Sequence, residues 1–90
     1  MNIRLAAGTT LTSIEGKDVI FSVRSGESYG LNETAAQMIR LSLDGGVAQA
    51  ATRMAADYGV SADEIRGDIE QLVRELVQLR MVEPSPDHGA

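Results

Sequence analysis

The chain has no cysteine and no tryptophan, one phenylalanine, two tyrosines, two prolines, one lysine and one histidine in 90 residues. Without cysteine there is no disulfide framework, no thiolate metal site and no Cys nucleophile. The single histidine, His88, stands in the run Pro84-Ser85-Pro86-Asp87-His88-Gly89-Ala90. That composition reads as a solvated tail, and a catalytic or ligating His needs a fixed position. Nucleophilic triads and zinc sites therefore lack their parts. No Gly-x-x-x-x-Gly-Lys-Ser/Thr phosphate loop occurs. No apolar run approaches the roughly 18 residues of a membrane span. The opening Met1-Asn2-Ile3-Arg4-Leu5-Ala6-Ala7 carries one positive charge and no signal-peptide apolar core of useful length. These absences predict a cytoplasmic protein with no cofactor, no metal and no membrane partner.

Hydrophobic residues make up 43% of the chain, ordinary for a globular fold and too many for general disorder. Ninety residues make one domain with a modest core and little volume for a deep catalytic cavity. The net charge is −5, and the eight basic residues are spread from Arg4 to Arg80 rather than clustered. A polyanion would meet net repulsion; a mildly cationic or apolar peptide is the better electrostatic match.

Residues 1–8 read as an N-terminal arm, frayed or briefly extended. Thr9–Ile14 is rich in β-branched residues and predicts a strand. Glu15-Gly16-Lys17-Asp18 supplies a turn, and Val19–Arg24 a second strand with Val19, Phe21 and Val23 on one face. Phe21 is the expected centre of the core under the sheet. Ser25-Gly26 closes a second hairpin into a third strand, Glu27–Leu31, with Tyr29 and Leu31 on one face and Ser28 and Gly30 on the other. Asn32 is a preferred N-cap and opens a helix over Glu33–Leu43, which ends at Asp44-Gly45-Gly46. A second helix runs Val47–Tyr58, with Tyr58 facing inward. Ser61-Ala62-Asp63-Glu64 fits a capping box, flanked by Val60 and Ile65 as a hydrophobic staple, and starts a third helix that runs to about Arg80. Ile65, Ile69, Leu72, Leu76 and Leu79 form its stripe, widened on one flank by Val73 and Val77 beside Arg66 and Glu70. Residues 83–90 are expected to be a disordered tail. The fold class is α+β: a three-stranded antiparallel meander followed by three helices, winged helix-turn-helix-like.

Chemistry is sparse. The carboxylate pair Asp63/Glu64 is accounted for by helix capping, so an enzyme is not expected. The helix pair around Tyr58-Gly59-Val60-Ser61 invites a DNA-binding reading. Yet the start of the third helix, Ala62-Asp63-Glu64-Ile65-Arg66-Gly67-Asp68, sets three acids against one Arg and would press on phosphates. Nucleic acid is not the expected partner. An edge strand remains, whose unpaired main-chain groups can accept a peptide as an added strand. The competing reading is a short edge with Tyr29 and Leu31 serving only the core.

The segment Ser25-Gly26-x-x-Tyr29-x-Leu31-Asn32-x-Thr34-Ala35 precedes an apolar helix ending Leu43-Asp44-Gly45. Then come Tyr58-Gly59-Val60 and Asp68-Ile69-x-x-Leu72-x-x-x-Leu76. This pattern resembles the PqqD-like family of RiPP recognition elements over about residues 9–82, and within it the stand-alone B1 proteins of lasso peptide clusters. The resemblance implies a non-catalytic adaptor that takes the leader of a ribosomally made precursor peptide as a strand on the third strand. It would then present the precursor to a separate leader peptidase, a cysteine protease. The near relative is PqqD itself, a peptide chaperone for a radical enzyme in pyrroloquinoline quinone synthesis. Carried onto this sequence, the leader would lie along Glu27, Ser28, Tyr29, Gly30 and Leu31. The third helix would wall the groove. Helical angles favour its flank Arg66, Glu70, Val73 and Val77, with Asp68, Leu72 and Glu75 as the alternative flank.

Overall fold

The computed structural model of the chain describes residues 1–85. Its elements are β1 (Asn2–Leu5), β2 (Thr9–Ile14), β3 (Lys17–Ser22), β4 (Ser28–Leu31), α1 (Glu33–Gly45), α2 (Val47–Tyr58), α3 (Ala62–Gln78) and β5 (Val82–Ser85). β2, β3 and β4 form an antiparallel meander in that spatial order, and β1 pairs antiparallel with β5 in a separate two-stranded ribbon. The expected α+β order of meander then helices is present, with the ribbon added to it. No helix among the described residues is long and apolar enough to cross a membrane.

Local chemistry explains the boundaries. Glu15 and Gly16 have φ of 52° and 79°, so two residues in the left-handed region turn the chain between the paired Ile14 and Lys17. This is the two-residue hairpin geometry that matches strand twist, and it starts β3 two residues earlier than the sequence suggests. Asn32 Oδ1 accepts the Ala35 N–H at 2.8 Å, capping α1. Ser61 Oγ accepts the Asp63 N–H at 3.2 Å, capping α3. Gly59, with φ 67°, donates its N–H to the Ala55 carbonyl and ends α2. The small Ala50 and Ala51 of α2 are buried in the core beside α3, as are Met54, Ile69 and Leu76.

The ribbon decides the N-terminal arm, read as frayed or briefly extended, and corrects the start of the expected tail. The N-terminal arm contains a strand, and the tail expected from residue 83 begins as one: Glu83, Pro84 and Ser85 pair with Arg4, Ile3 and Asn2. Residues 86–90, including His88, lie outside the described residues. Ala6 donates its N–H to the Met81 carbonyl at 3.0 Å, which sets the ladder's alternation. In that alternation Pro84 faces away from β1 at the position where an N–H is not needed. Ile3 and Val82 of the ribbon and Met81 just before it are buried, so burial favours the pairing; the Arg4–Glu83 ion pair at 2.6 Å is exposed and adds little.

The faces of β3 are also reversed. Ile20 is fully buried, while Phe21 is 38% and Val23 67% exposed. The sheet's inner face carries Asp18, Ile20 and Ser22, two of them polar. Asp18 Oδ1 accepts from Arg40 Nη2 of α1 at 2.6 Å, and Ser22 Oγ accepts from the Ser25 N–H at 3.4 Å. Polar residues with partners can face inward, and that left the apolar alternation of Val19, Phe21 and Val23 misleading. Tyr58, expected inward, is 50% exposed, and its hydroxyl donates to Gln37 Oε1 at 2.7 Å.

Candidate peptide-binding site

β4 is the end strand of the meander, and among the described residues no strand pairs with its outer edge. The direction of its main-chain groups follows from one bond. Ser22 donates its N–H to the Glu27 carbonyl at 3.0 Å. The register continues as Phe21↔Ser28, Ile20↔Tyr29, Val19↔Gly30 and Asp18↔Leu31. Antiparallel pairs alternate between hydrogen-bonded and open. Tyr29 and Leu31 therefore turn their N–H and C=O toward β3, and Ser28 and Gly30 turn theirs to the open edge. An added strand would meet four main-chain groups, two donors and two acceptors, on these two residues.

Side chains on β4 divide in the other plane. Leu31 is buried in the core and Tyr29 is half-buried on the helical side. The Tyr29 hydroxyl donates to Glu75 Oε2 of α3 at 2.8 Å. That hydrogen bond, followed by burial and the nearby carboxylate charge, pushes the Tyr29 pKa above its ordinary value of 10.0. The bond ties β4 to α3 across the floor of a groove. On one side of it lies a hollow of about 300 Å³ lined by Asn32, Thr34, Met38, Asp68, Leu72 and Glu75, among others. Its base is apolar at Met38 and Leu72 and its rim acidic at Asp68 and Glu75. Beyond the other end of β4 a second hollow, of about 440 Å³, is bounded by Arg24, Glu27, Gln78, Leu79 and Arg80 with Ser22 and Ser25.

The predicted residues fall in two groups. Glu27, Ser28, Tyr29, Gly30 and Leu31 come together along the edge as read from the sequence. Arg66, Glu70, Val73 and Val77 do not join them. Val73 is buried at 2% exposure, and Arg66 Nη2 pairs with Asp63 Oδ1 at 3.0 Å. At about 100° per residue, Arg66, Glu70 and Val77 stand roughly 200° round the helix from Glu75, on the side away from β4. Glu75 meets β4 at Tyr29, and on the same flank Asp68, Gln71 and Leu72 line the hollow with the start of α1. One signal was available: Tyr29 has a polar tip that needs a partner when its ring is packed, and Glu75 is the carboxylate that meets it. No group of three or more His, Asp or Glu among the described residues is arranged to hold a metal ion.

These features define a small recognition domain, in which an open sheet edge is laid beside a helix with hollows to either side. The chain belongs to the PqqD family: the sequence model described as Coenzyme PQQ synthesis protein D (PqqD) matches residues 19–82. Three solved structures are similar. A lasso peptide synthetase B1 complexed with the leader peptide is 30% identical, with a TM-score of 0.84 over 93% of this chain and 100% of that one. TbiB1, in complex with the TbiA(beta) leader peptide, shares the fold at a TM-score of 0.79 and 18% identity, over 97% of this chain and 100% of that one. The third is the PqqD truncation of Methylobacterium extorquens PqqCD, representing a functional and stand-alone RiPP recognition element. It is 27% identical, with a TM-score of 0.74 over 90% of this chain and 87% of that one. No curated protein matches the chain in sequence.

Proposed function

We propose that this chain is a non-catalytic adaptor of lasso peptide biosynthesis in the cytoplasm. It binds the leader of a ribosomally made precursor as a strand added to β4 and presents the precursor to a separate leader peptidase. The observation that carries this reading is the outward set of Ser28 and Gly30 main-chain groups, laid open beside α3. The likeness to a B1 protein complexed with a leader peptide supports it. The leader lies along Glu27–Leu31, and Asp68, Leu72 and Glu75 form the wall. Main-chain bonds contribute about 1 kcal/mol net each. Burying a leader side chain on Leu72 or Met38 adds up to about 1.5–3 kcal/mol. Ordering the leader costs about 2–5 kcal/mol.

Calorimetry with a synthetic leader, taken from the precursor encoded beside this chain's gene, tests the reading. Saturable heat is expected; none at high micromolar concentration would overturn it. The same titration decides the wall. Leu72→Ala is expected to weaken binding about five- to tenfold, and Glu70→Ala by less than about twofold. The reverse order would move the groove to the other flank.

The PqqD match and the likeness to the Methylobacterium domain favour one second reading, an adaptor to a radical enzyme. Neighbouring genes separate the two. A transglutaminase-like peptidase with an asparagine-synthetase-like cyclase indicates lasso synthesis, and a radical enzyme the PqqD branch.

A further inference from the structure

The meander's outer face carries apolar side chains that the core does not use. Phe21 is 38% and Val23 67% exposed, and Val19 beside them is half-buried. Next to them, on β4, stand the two smallest outward residues: Gly30 pairs with Val19 and Ser28 with Phe21. A Cβ built on Gly30 would meet no atom within 4 Å, and its φ is not in the left-handed region. Neither backbone geometry nor crowding within this chain calls for glycine there. A strand glycine weakens its strand and marks a place where something else comes close.

We infer that this trough is a second subsite for the added peptide. It takes one large apolar side chain, aromatic or branched aliphatic, from the peptide residue paired with Gly30. The inference rests on the leader-binding reading above. Directly paired residues of neighbouring strands point to the same face. An antiparallel peptide strand on β4 therefore sets the partner of Gly30 in one row with Gly30, Val19 and Thr12. Strands lie about 4.8 Å apart, so the empty place over Gly30 is one strand wide and a long side chain can lean across it onto Val19. The next row, Ser28 with Phe21, leaves the phenylalanine ring as the far wall. Aromatic residues cover edge glycines across a sheet in this way. The occupant is the peptide itself because the trough is continuous with the open edge, and the pleat delivers every second peptide side chain to it. The peptide is thus read on both faces: toward Leu72 and Glu75 on one, over Gly30 on the other.

The test uses the full chain and a fluorescein-labelled synthetic leader of the precursor encoded beside its gene, with the set of single-alanine versions of that peptide. Two protein variants are compared, V19T/F21S and G30V, each checked for an unchanged circular dichroism spectrum. One aromatic or branched aliphatic peptide position is expected to lose about five- to tenfold in affinity on replacement by alanine against the unaltered chain, but less than about twofold against V19T/F21S. G30V fills the trough. It should weaken the unaltered peptide about tenfold and that alanine peptide about twofold or less. Equal alanine losses on the unaltered chain and V19T/F21S, or G30V binding the unaltered peptide as well as before, would overturn the subsite and leave edge binding standing. If the unaltered peptide fails to bind the unaltered chain, the leader-binding reading falls and the subsite with it.

Discussion

The β1–β5 ribbon turns Ile3 and Val82 inward at 4% and 1% exposure, whereas the meander carries Phe21 and Val23 outward at 38% and 67%. Both are antiparallel sheets of short strands, and both contain a residue that weakens a ladder, Pro84 in one and Gly30 in the other. In the ribbon the proline sits where no hydrogen bond is lost, and Ile3 and Val82 go to the core. In the meander the glycine sits where a bond can be gained, and Ile20 and Leu31 go to the core while Phe21 and Val23 stay out. The ribbon closes the molecule; the meander's edge is left for something else. Both sheets bury apolar residues on one face, and the meander alone also leaves a large one, Phe21, partly open on the other.

The sharpest way to break this contrast is to remove buried area from the ribbon. Ile3→Ala is expected to lower the unfolding free energy by about 2–4 kcal/mol in urea titrations. Phe21→Ser should change it by no more than about 0.5 kcal/mol. Equal costs would mean that the meander's outer face is part of the core after all. Next in size, Gly30→Pro removes an outward N–H and crowds the edge. Leader affinity should fall about tenfold, while stability falls less than in Ile3→Ala because no β3–β4 bond is lost.

The smallest effect concerns the tie between β4 and α3. The raised Tyr29 pKa means that the folded state holds this proton more tightly than the unfolded chain does. The stability it contributes is fully present below pH 10.0 and is lost as pH rises through the higher folded value. Tyr58→Phe leaves Tyr29 as the sole phenol. Its ultraviolet titration is expected to reach its midpoint above 10.0 and to move back when Glu75→Gln is added. A midpoint unmoved by Glu75→Gln would remove the hydrogen bond as the cause.

Much of this was legible in the sequence because it is local. Asn32 and Ser61 announce helix starts through side-chain oxygens that reach N–H groups two or three residues on. Gly59 marks the end of α2 through its own backbone. The faces of β4 were readable because Gly30 and Ser28 contrast with Tyr29 and Leu31. What was not legible depends on partners far along the chain. Asp18 and Ser22 hide their polarity inside through Arg40 and Ser25, so β3 reads inside out. The flank of α3 that meets β4 is set by the Tyr29–Glu75 contact, between residues 46 apart. A hydrophobic count on the helix alone favours the opposite flank, where Val73 and Val77 serve the core. A brief strand in the N-terminal arm was legible, but its pairing with Val82–Ser85 was not, because neither strand is apolar enough alone to predict the other.

That ribbon also has a temporal consequence. Arg4 and Glu83 are partners 79 residues apart, so β1 pairs with a strand made only after all three helices. β1 meets α1 as well as β5, so Ile3 finds part of its packing before β5 is made and the rest after it. Closing a loop of this length costs entropy before any contact offsets it. The ribbon therefore joins the two ends of the described residues, and its pairing is the most distant in sequence that their fold has to make.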